Sequence, residues 1–118
     1  MKTLIIAEAG VNHNGDLAIA KQLISKAAEA GADFVKFQTF ITEKNICLNA
    51  PKADYQKISS GIEESQYQMV KRLELDKVAH EFLIAECQNY GIGFFSTGFD
   101  PESIDLLATL GLDQFKIP

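Results

Sequence analysis

Four short apolar runs, each ending in polar side chains, set most of what this chain can become. Leu4-Ile5-Ile6-Ala7 ends in Glu8, and Phe34-Val35 leads to Lys36, Phe37 and Gln38. Phe94-Phe95 gives way to Ser96 and Thr97, and Phe115 is followed by Lys116. The last three runs follow Gly31, Gly91 and Gly111, the residue type that ends helices. Each run reads as a buried strand, and the stretches between them carry helical spacing. Such alternation gives a parallel sheet with right-handed crossovers. The carboxyl ends of its strands meet along one rim, where these folds carry their chemistry. One carboxylate, two lysines, an amide and two hydroxyls would gather there, which describes a pocket for a small anionic substrate.

The spacing predicts strands over 3–9, 33–39, 92–97 and 114–117. Asp16 is positioned to cap a first helix whose apolar face is Leu17, Ala20, Ile24, Ala27 and Ala28. Residues 40–62 read as an irregular segment, punctuated by Pro51, Ser59, Ser60 and Gly61, and loops of that length are often functional. A short helix is expected over 63–72, its Glu63-Glu64 pair favouring the helix dipole. A longer helix is expected over 76–90, with Val78, Ala79, Phe82, Leu83 and Cys87 on its apolar stripe. Asp100-Pro101 opens a last helix, with Ile104, Leu107 and Ala108 packed inward. Lys36 and Gln38, two residues apart, share one face of their strand, and Val35 and Phe37 take the other. Ser96 belongs to the face opposite Thr97.

A complete (β/α)8 barrel needs roughly 200 residues or more, and this chain has 118. The expected architecture is α/β: a parallel sheet forming the N-terminal half of a (β/α)8 TIM barrel, truncated, in the order βαβαβαβ over 1–118. Unpaired strand edges lead us to expect such a fragment to self-associate. With 47% hydrophobic and 23% charged residues, the chain falls among ordinary globular proteins. A net charge of -5 argues against nucleic acid as a partner. No apolar stretch is long enough for a bilayer span, and the N-terminus does not read as a signal peptide. Cys47 and Cys87 lie far apart without metal-type spacing, as expected of reduced thiols in the cytoplasm.

Several segments, in order along the chain, resemble the sialic acid synthase family. They are Ile6-Ala7-Glu8-Ala9-Gly10-Val11-Asn12-His13-Asn14-Gly15, Gly31-Ala32-Asp33-Phe34-Val35-Lys36-Phe37-Gln38-Thr39, Phe95-Ser96-Thr97 and Phe115-Lys116-Ile117-Pro118. Ala50-Pro51-Lys52-Ala53-Asp54-Tyr55-Gln56 and Glu64-Ser65-Gln66-Tyr67 look closest to its legionaminic acid branch. The resemblance implies a synthase that condenses phosphoenolpyruvate with an N-acylated aminosugar, of the N-acetylmannosamine or diacetamido-trideoxyhexose type. The products are a nonulosonic acid and phosphate. It also implies a (β/α)8 barrel followed by a small antifreeze-like domain, a domain-swapped homodimer, and a divalent metal, manganese or magnesium.

Carried over residue by residue, the resemblance implies that Lys36, Thr97 and Lys116 bind phosphoenolpyruvate. Glu8 and Gln38 face the aminosugar, with Glu8 at the reacting centre, where it orients the sugar or assists proton transfer. Two compact ammonium charges suit a molecule bearing both phosphate and carboxylate. Asn12, Asp54 and Tyr55 are further candidate loop contacts, although turn chemistry alone explains Asn and Gly around His13. The family's metal-binding histidines belong to later strands, so no metal ligand is assigned here. His13 reads as a hydrogen-bonding loop residue and His80 as a surface position. The chain has Ser96-Thr97-Gly98 where the family carries Ser-Thr-Pro. Without the later strands, such a fragment is expected to be inactive. The rival readings are another phosphoenolpyruvate-dependent deoxy-sugar-acid synthase and a non-catalytic anion-binding half barrel.

Overall fold

A computed structural model describes residues 1–46 and 65–118. Cys47, Asp54, Tyr55, Glu63 and most of the expected irregular segment lie outside the described residues. The elements run β1 (Ile6–Gly10), α1 (Leu17–Glu29), β2 (Phe34–Thr39), α2 (Thr42–Asn45), α3 (Gln66–Leu73), α4 (Lys77–Tyr90), β3 (Gly93–Gly98) and α5 (Pro101–Thr109). The three described strands form one parallel sheet in the order β1-β2-β3.

The helix starts follow from side-chain capping. Asp16 accepts the N–H groups of Ala18 and Ile19, Asp76 accepts that of Ala79, and Asp100 accepts that of Ser103. Each occupies donors that an N-terminal turn leaves unpaired. Helix α3 begins at Gln66 rather than Glu63 because Ser65 and Gln68 form a reciprocal capping box. Burial raises the pKa of the Asp100 carboxyl, but hydrogen bonds from Ile41, Ser103 and Asn45 outweigh it and hold the group below the ordinary carboxylate value.

One face of the sheet packs against α1 and α4. Val35 and Phe37 of β2 meet Ala20, Ile24 and Ala27 of α1 and Ala79, Leu83 and Cys87 of α4 in a continuous core. Phe37 stacks on Phe94, with ring centroids 5.9 Å apart. The buried face of α4 is rotated from the expected stripe. Val78 is 70% exposed and Phe82 37%, while Ala79, His80, Leu83 and Cys87 are buried. On α5, Ser103 and Leu107 are the buried positions, and Ile104 and Ala108 are exposed.

His80 is therefore not a surface residue. Its Nδ1 lies 2.7 Å from the Asp76 carbonyl, which only accepts, so Nδ1 carries the hydrogen. The neutral ring then accepts at Nε2 from the Thr39 hydroxyl at 2.7 Å, and the Ser96 hydroxyl donates to Thr39 Oγ1 at 2.6 Å. This buried chain, with Ser96 on the face opposite Thr97 as expected, ties β2, β3 and α4 together.

Burial lowers the pKa of both His80 and His13 below the ordinary 6.5. Below that value the unfolded chain binds more protons than the folded one. The associated stability is present above about pH 6.5 and is lost as pH falls through the folded-state values. His80→Leu leaves two buried hydroxyls without their terminal acceptor. It is expected to cost about 1–3 kcal/mol at neutral pH and to flatten the acid side of the stability profile. Urea unfolding between pH 5 and 8 (chosen to bracket the histidine range) measures both, and an unchanged slope would count against this assignment.

Two further sequence expectations fail. Residues 114–117 form no strand: the last backbone hydrogen bond recorded there joins Leu112 N–H to the Leu107 carbonyl, and Phe115 and Ile117 are exposed. The alternation of Phe115, Lys116 and Ile117 suits a strand, but no ladder to β3 holds it. The first apolar run is not buried either, since Leu4, Ile5 and Ile6 are 55%, 55% and 45% exposed. Among the described residues β1 pairs only with β2, so one edge and its adjoining face have no cover.

Candidate functional site at the carboxyl ends of the strands

The parallel register sorts the opposite face of the sheet by depth. Ile6 pairs with Phe34, Glu8 with Lys36, Lys36 with Phe95, and Gln38 with Thr97. Partners in register share a face and a depth, so Ile6, Phe34 and Gly93 lie at its amino-terminal end and Phe95 lies level with Glu8 and Lys36. Glu8 and Lys36 hold the middle row, and Gln38 and Thr97 the row nearest the carboxyl ends.

Lys36 is the hub. Its side chain is 12% exposed, and a cation so placed needs a partner. Nζ forms an ion pair with Glu8 Oε2 and donates to Thr97 Oγ1 at 3.2 Å. Two of the three ammonium hydrogens are thus engaged, and the third is available to an acceptor from outside. The anion that the buried lysine requires is, in this state, the protein's own carboxylate. Glu8 is more open, at 54% exposed, so a stronger anion can displace or share it.

A bulge positions Glu8. The β1–β2 register shifts between Glu8 and Gly10, which leaves Ala9 as the extra residue and re-aims the side chain beside it. Gly10 has φ +55°, and a Cβ there would lie 3.3 Å from Glu8 Oε1 and 3.7 Å from Gln38 Nε2. The bare glycine lets both groups approach the same point.

The other expected residues divide. Lys116 is exposed on the segment after α5, and no hydrogen bond or ion pair ties it to Lys36 among the described residues. Without a fourth strand nothing holds it over the rim. Asn12 is exposed in the β1–α1 turn, where its N–H donates to the Ala9 carbonyl at 3.0 Å. His13 is fully buried and its Nδ1 accepts the Gly15 N–H at 2.9 Å, so the expected hydrogen-bonding role holds. Its turn also contains Asn14 at φ 55°, a conformation asparagine tolerates.

Sequence reasoning missed a cavity of about 270 Å3 that opens beside Gln38, beneath α2 and α3. The signal available was the Phe40, Met69, Val70 and Leu73 set, at strand-end and helical spacing. Outside the cavity, α2 and α3 are clamped by charge. Lys71 Nζ meets Glu43 at 3.0 Å and Glu74 at 3.1 Å, and Glu74 also accepts the Thr42 N–H and hydroxyl. Hydrogen bonds from Tyr67, the Glu43 backbone and Lys71 lower the Glu43 carboxyl to about 2.

Among the described residues no group of three or more His, Cys, Asp or Glu side chains is gathered to hold a metal ion. The one carboxylate among the described site residues, Glu8, is already paired with an ammonium group. This donor set does not fit a divalent cation, which takes several oxygen or nitrogen ligands.

Parallel strands alternating with helices, with a lysine, a carboxylate, a hydroxyl and an amide on one face, define an α/β protein. Comparison with known proteins narrows that class. Residues 23–118 match the model of the NeuB family. The chain is 59% identical to the N,N'-diacetyllegionaminic acid synthase of Campylobacter jejuni over 99% of its own length and 35% of that protein. It is 50% identical to the synthase of the same name from Legionella pneumophila, over 100% of its length and 33% of the relative. The crystal structure of N-acetylneuraminic acid (sialic acid) synthetase from Leptospira borgpetersenii superimposes with a TM-score of 0.78 at 32% identity. That alignment covers 98% of this chain and 36% of the other. This chain belongs to the NeuB family, and it spans about a third of the length of these relatives.

Proposed function

We propose that this chain supplies the phosphoenolpyruvate-handling part of a nonulosonic acid synthase that uses an N-acylated aminosugar. The observation that carries the reading is the Lys36 ammonium, held between Glu8 and Thr97 at the carboxyl ends of three parallel strands. Identity to named legionaminic acid synthases supports the choice of sugar class.

In this reading the free N–H of Lys36 meets the phosphate or carboxylate of phosphoenolpyruvate, and Thr97 adds a hydroxyl donor. The substrate's methylene carbon attacks the aldehyde of the open-chain sugar. Water adds at the neighbouring carbon, and phosphate leaves by C–O cleavage. Glu8, displaced from Lys36 by the incoming anion, orients a sugar hydroxyl or moves a proton. Gln38 donates its amide to the sugar. Lys116, Asn12, Asp54 and Tyr55 are further contacts in this proposal. Manganese or magnesium enters it only through side chains other than those described, and no step above passes through a metal.

The same reading assigns a homodimer, no nucleic acid partner and a cytoplasmic setting. Burial pushes the free Cys87 thiol up to about 12, an inert thiol compatible with a reducing compartment. No described helix is long and apolar enough to cross a membrane.

The test uses the complete gene product with phosphoenolpyruvate, N-acetylmannosamine or a diacetamido-trideoxyhexose, and manganese. Phosphate release that depends on the sugar is expected. Glu8→Gln removes a negative charge beside the anion, so phosphoenolpyruvate should bind as tightly or more tightly. Turnover should fall about a hundredfold, the lower range for loss of an acid–base group. Weaker phosphoenolpyruvate binding together with unchanged turnover would refute the assignment of Glu8.

A further inference from the structure

Gln38 and Thr97 stand on the polar face of the sheet, and their chain neighbours Thr39 and Ser96 are buried on the other. The hydrogen-bonded chain that starts at His80 therefore ends on the two strands directly behind the polar row. Its direction across the sheet carries a consequence beyond stability.

Phe37 pairs with Ser96 and Thr39 with Gly98. The 2.6 Å bond from Ser96 to Thr39 thus runs diagonally, two positions forward on β2. On the polar face Lys36 pairs with Phe95 and Gln38 with Thr97, so the Lys36–Thr97 bond runs two positions forward on β3. The two diagonals cross in opposite senses. A slide of β3 toward its carboxyl end lengthens the Lys36–Thr97 bond and shortens the Thr39–Ser96 bond, and a slide the other way does the reverse. The backbone ladder fixes the register to a whole residue. The diagonals govern displacement within that register, where about 0.5 Å is the tolerance of a functional constellation.

His80 gives the core diagonal its direction. A threonine hydroxyl has one hydrogen. With that hydrogen taken by His80 Nε2 at 2.7 Å, Thr39 Oγ1 is left to accept from Ser96. The ring is held from two more sides, by the Asp76 carbonyl at 2.7 Å from Nδ1 and by Phe94, whose ring meets it edge to face with centroids 6.2 Å apart. Phe94 in turn stacks on Phe37 of β2.

We propose that His80 is a positioning residue of the polar face: through Thr39 and Ser96 it fixes the slide of β3 on β2, and so the place of Thr97 beside the Lys36 ammonium. It acts from the far side of the sheet and touches no substrate. Its kinetic consequence rests on the condensation reading of the Lys36 cluster, and its structural consequence stands apart from that reading.

The test compares His80→Leu with His80→Gln in the complete gene product. Glutamine can present Oε1 to the Thr39 hydroxyl, and leucine has no acceptor. Without substrate, the 13C-methyl resonance of Thr97, identified by its loss in Thr97→Ser, should move in His80→Leu and return toward the parent position in His80→Gln. Both variants lack the imidazole, so the shielding of that ring cancels between them. The methyl of Thr109, on α5 and bonded to the Asp105 carbonyl, should stay in place in both. An unmoved Thr97 methyl in His80→Leu, or equal displacement in the two variants, overturns the proposal.

With substrates, kcat/KM for phosphoenolpyruvate should fall on the order of tenfold in His80→Leu, less than the roughly hundredfold of a 1 Å misplacement, and recover in His80→Gln. Ser96→Ala covers the case in which His80→Leu does not fold, because it removes the same diagonal and leaves no buried hydrogen unpaired. Its kcat/KM should fall by a similar factor, and an unchanged value overturns the proposal. Failure of the condensation reading has a different signature, namely no phosphate from phosphoenolpyruvate with any sugar in the unaltered protein. The Thr97 methyl comparison then decides alone.

Discussion

Replacing Lys36 with methionine is expected to lower kcat/KM for phosphoenolpyruvate about a thousandfold while leaving the fold intact. Methionine keeps the length of the stem and fills the same space beside Phe34 and Phe95. The loss is the ammonium, which is held by Glu8 and Thr97 and which the proposed function assigns to phosphoenolpyruvate. A hydrogen bond to a charged group contributes about 1.5–3 kcal/mol. Displacement of Glu8 frees a second hydrogen, so two such bonds, to phosphate and carboxylate, place the deficit at about 4 kcal/mol, or about three decades of rate. Stability should change little, because Glu8 is half-exposed and water can solvate the carboxylate left behind. Calorimetric titration with phosphoenolpyruvate and a thermal melt separate the two effects. Binding within about threefold of the parent chain would remove Lys36 from the site. Arginine is not a rescue, because its planar fork cannot occupy the compact position between carboxylate and hydroxyl.

The largest expected effect on stability belongs to Gly15→Ala. Gly15 has φ +79°, and a Cβ there would lie 2.3 Å from the Arg72 carbonyl oxygen. The backbone of the β1–α1 turn rests directly on the end of α3. Two costs combine: about 1–2 kcal/mol for an L-residue in the left-handed region and about 1–3 kcal/mol for forced overpacking. Together they consume a large share of the roughly 5–15 kcal/mol that holds a typical domain. Gly31→Ala is the control. Its φ is +84°, but nothing lies within 4 Å of the added Cβ, so only the conformational cost applies. Urea midpoints of the two variants isolate the close approach, and equal destabilisation would mean that the Gly15 contact carries no weight. Displaced α3 would also deform the cavity beside Gln38, which α3 walls with Met69, Val70 and Leu73.

Much of this arrangement is legible residue by residue. The parity of Lys36 and Gln38 against Val35 and Phe37 follows from the two-residue repeat of a strand, and the burial of Val35 and Phe37 confirms it. Asp16, Asp76 and Asp100 mark helix starts because a short carboxylate satisfies the first free N–H groups. The capping box of Ser65 and Gln68 was equally legible and places the start of α3 better than the acidic pair before it. Helix α4 misled because Val78 and Phe82 are more apolar than Ala79 and His80, which bury in their place. Its inner face carries His80, and a buried polar ring becomes acceptable only when Thr39 and Ser96 complete its hydrogen bonds. Thr39 shares the parity of Phe37, which hinted at burial, but no local pattern names its partner 41 positions away.

Backbone sterics, side-chain period and capping act over a few residues. Through them the sequence by itself determined the strand–helix alternation, the polar ends of the strands and the faces on which Glu8, Lys36, Gln38 and Thr97 lie. Tertiary structure alone decided that Lys36 meets Glu8 and a threonine 61 positions away, that the first apolar run stays exposed, and that residues 114–117 form no strand. It also decided that α3 closes over Gln38 to leave a hollow. These outcomes depend on register, on which elements find partners and on how closely two backbones approach. Such quantities arise from contacts between distant segments, so they come into being only when the chain packs.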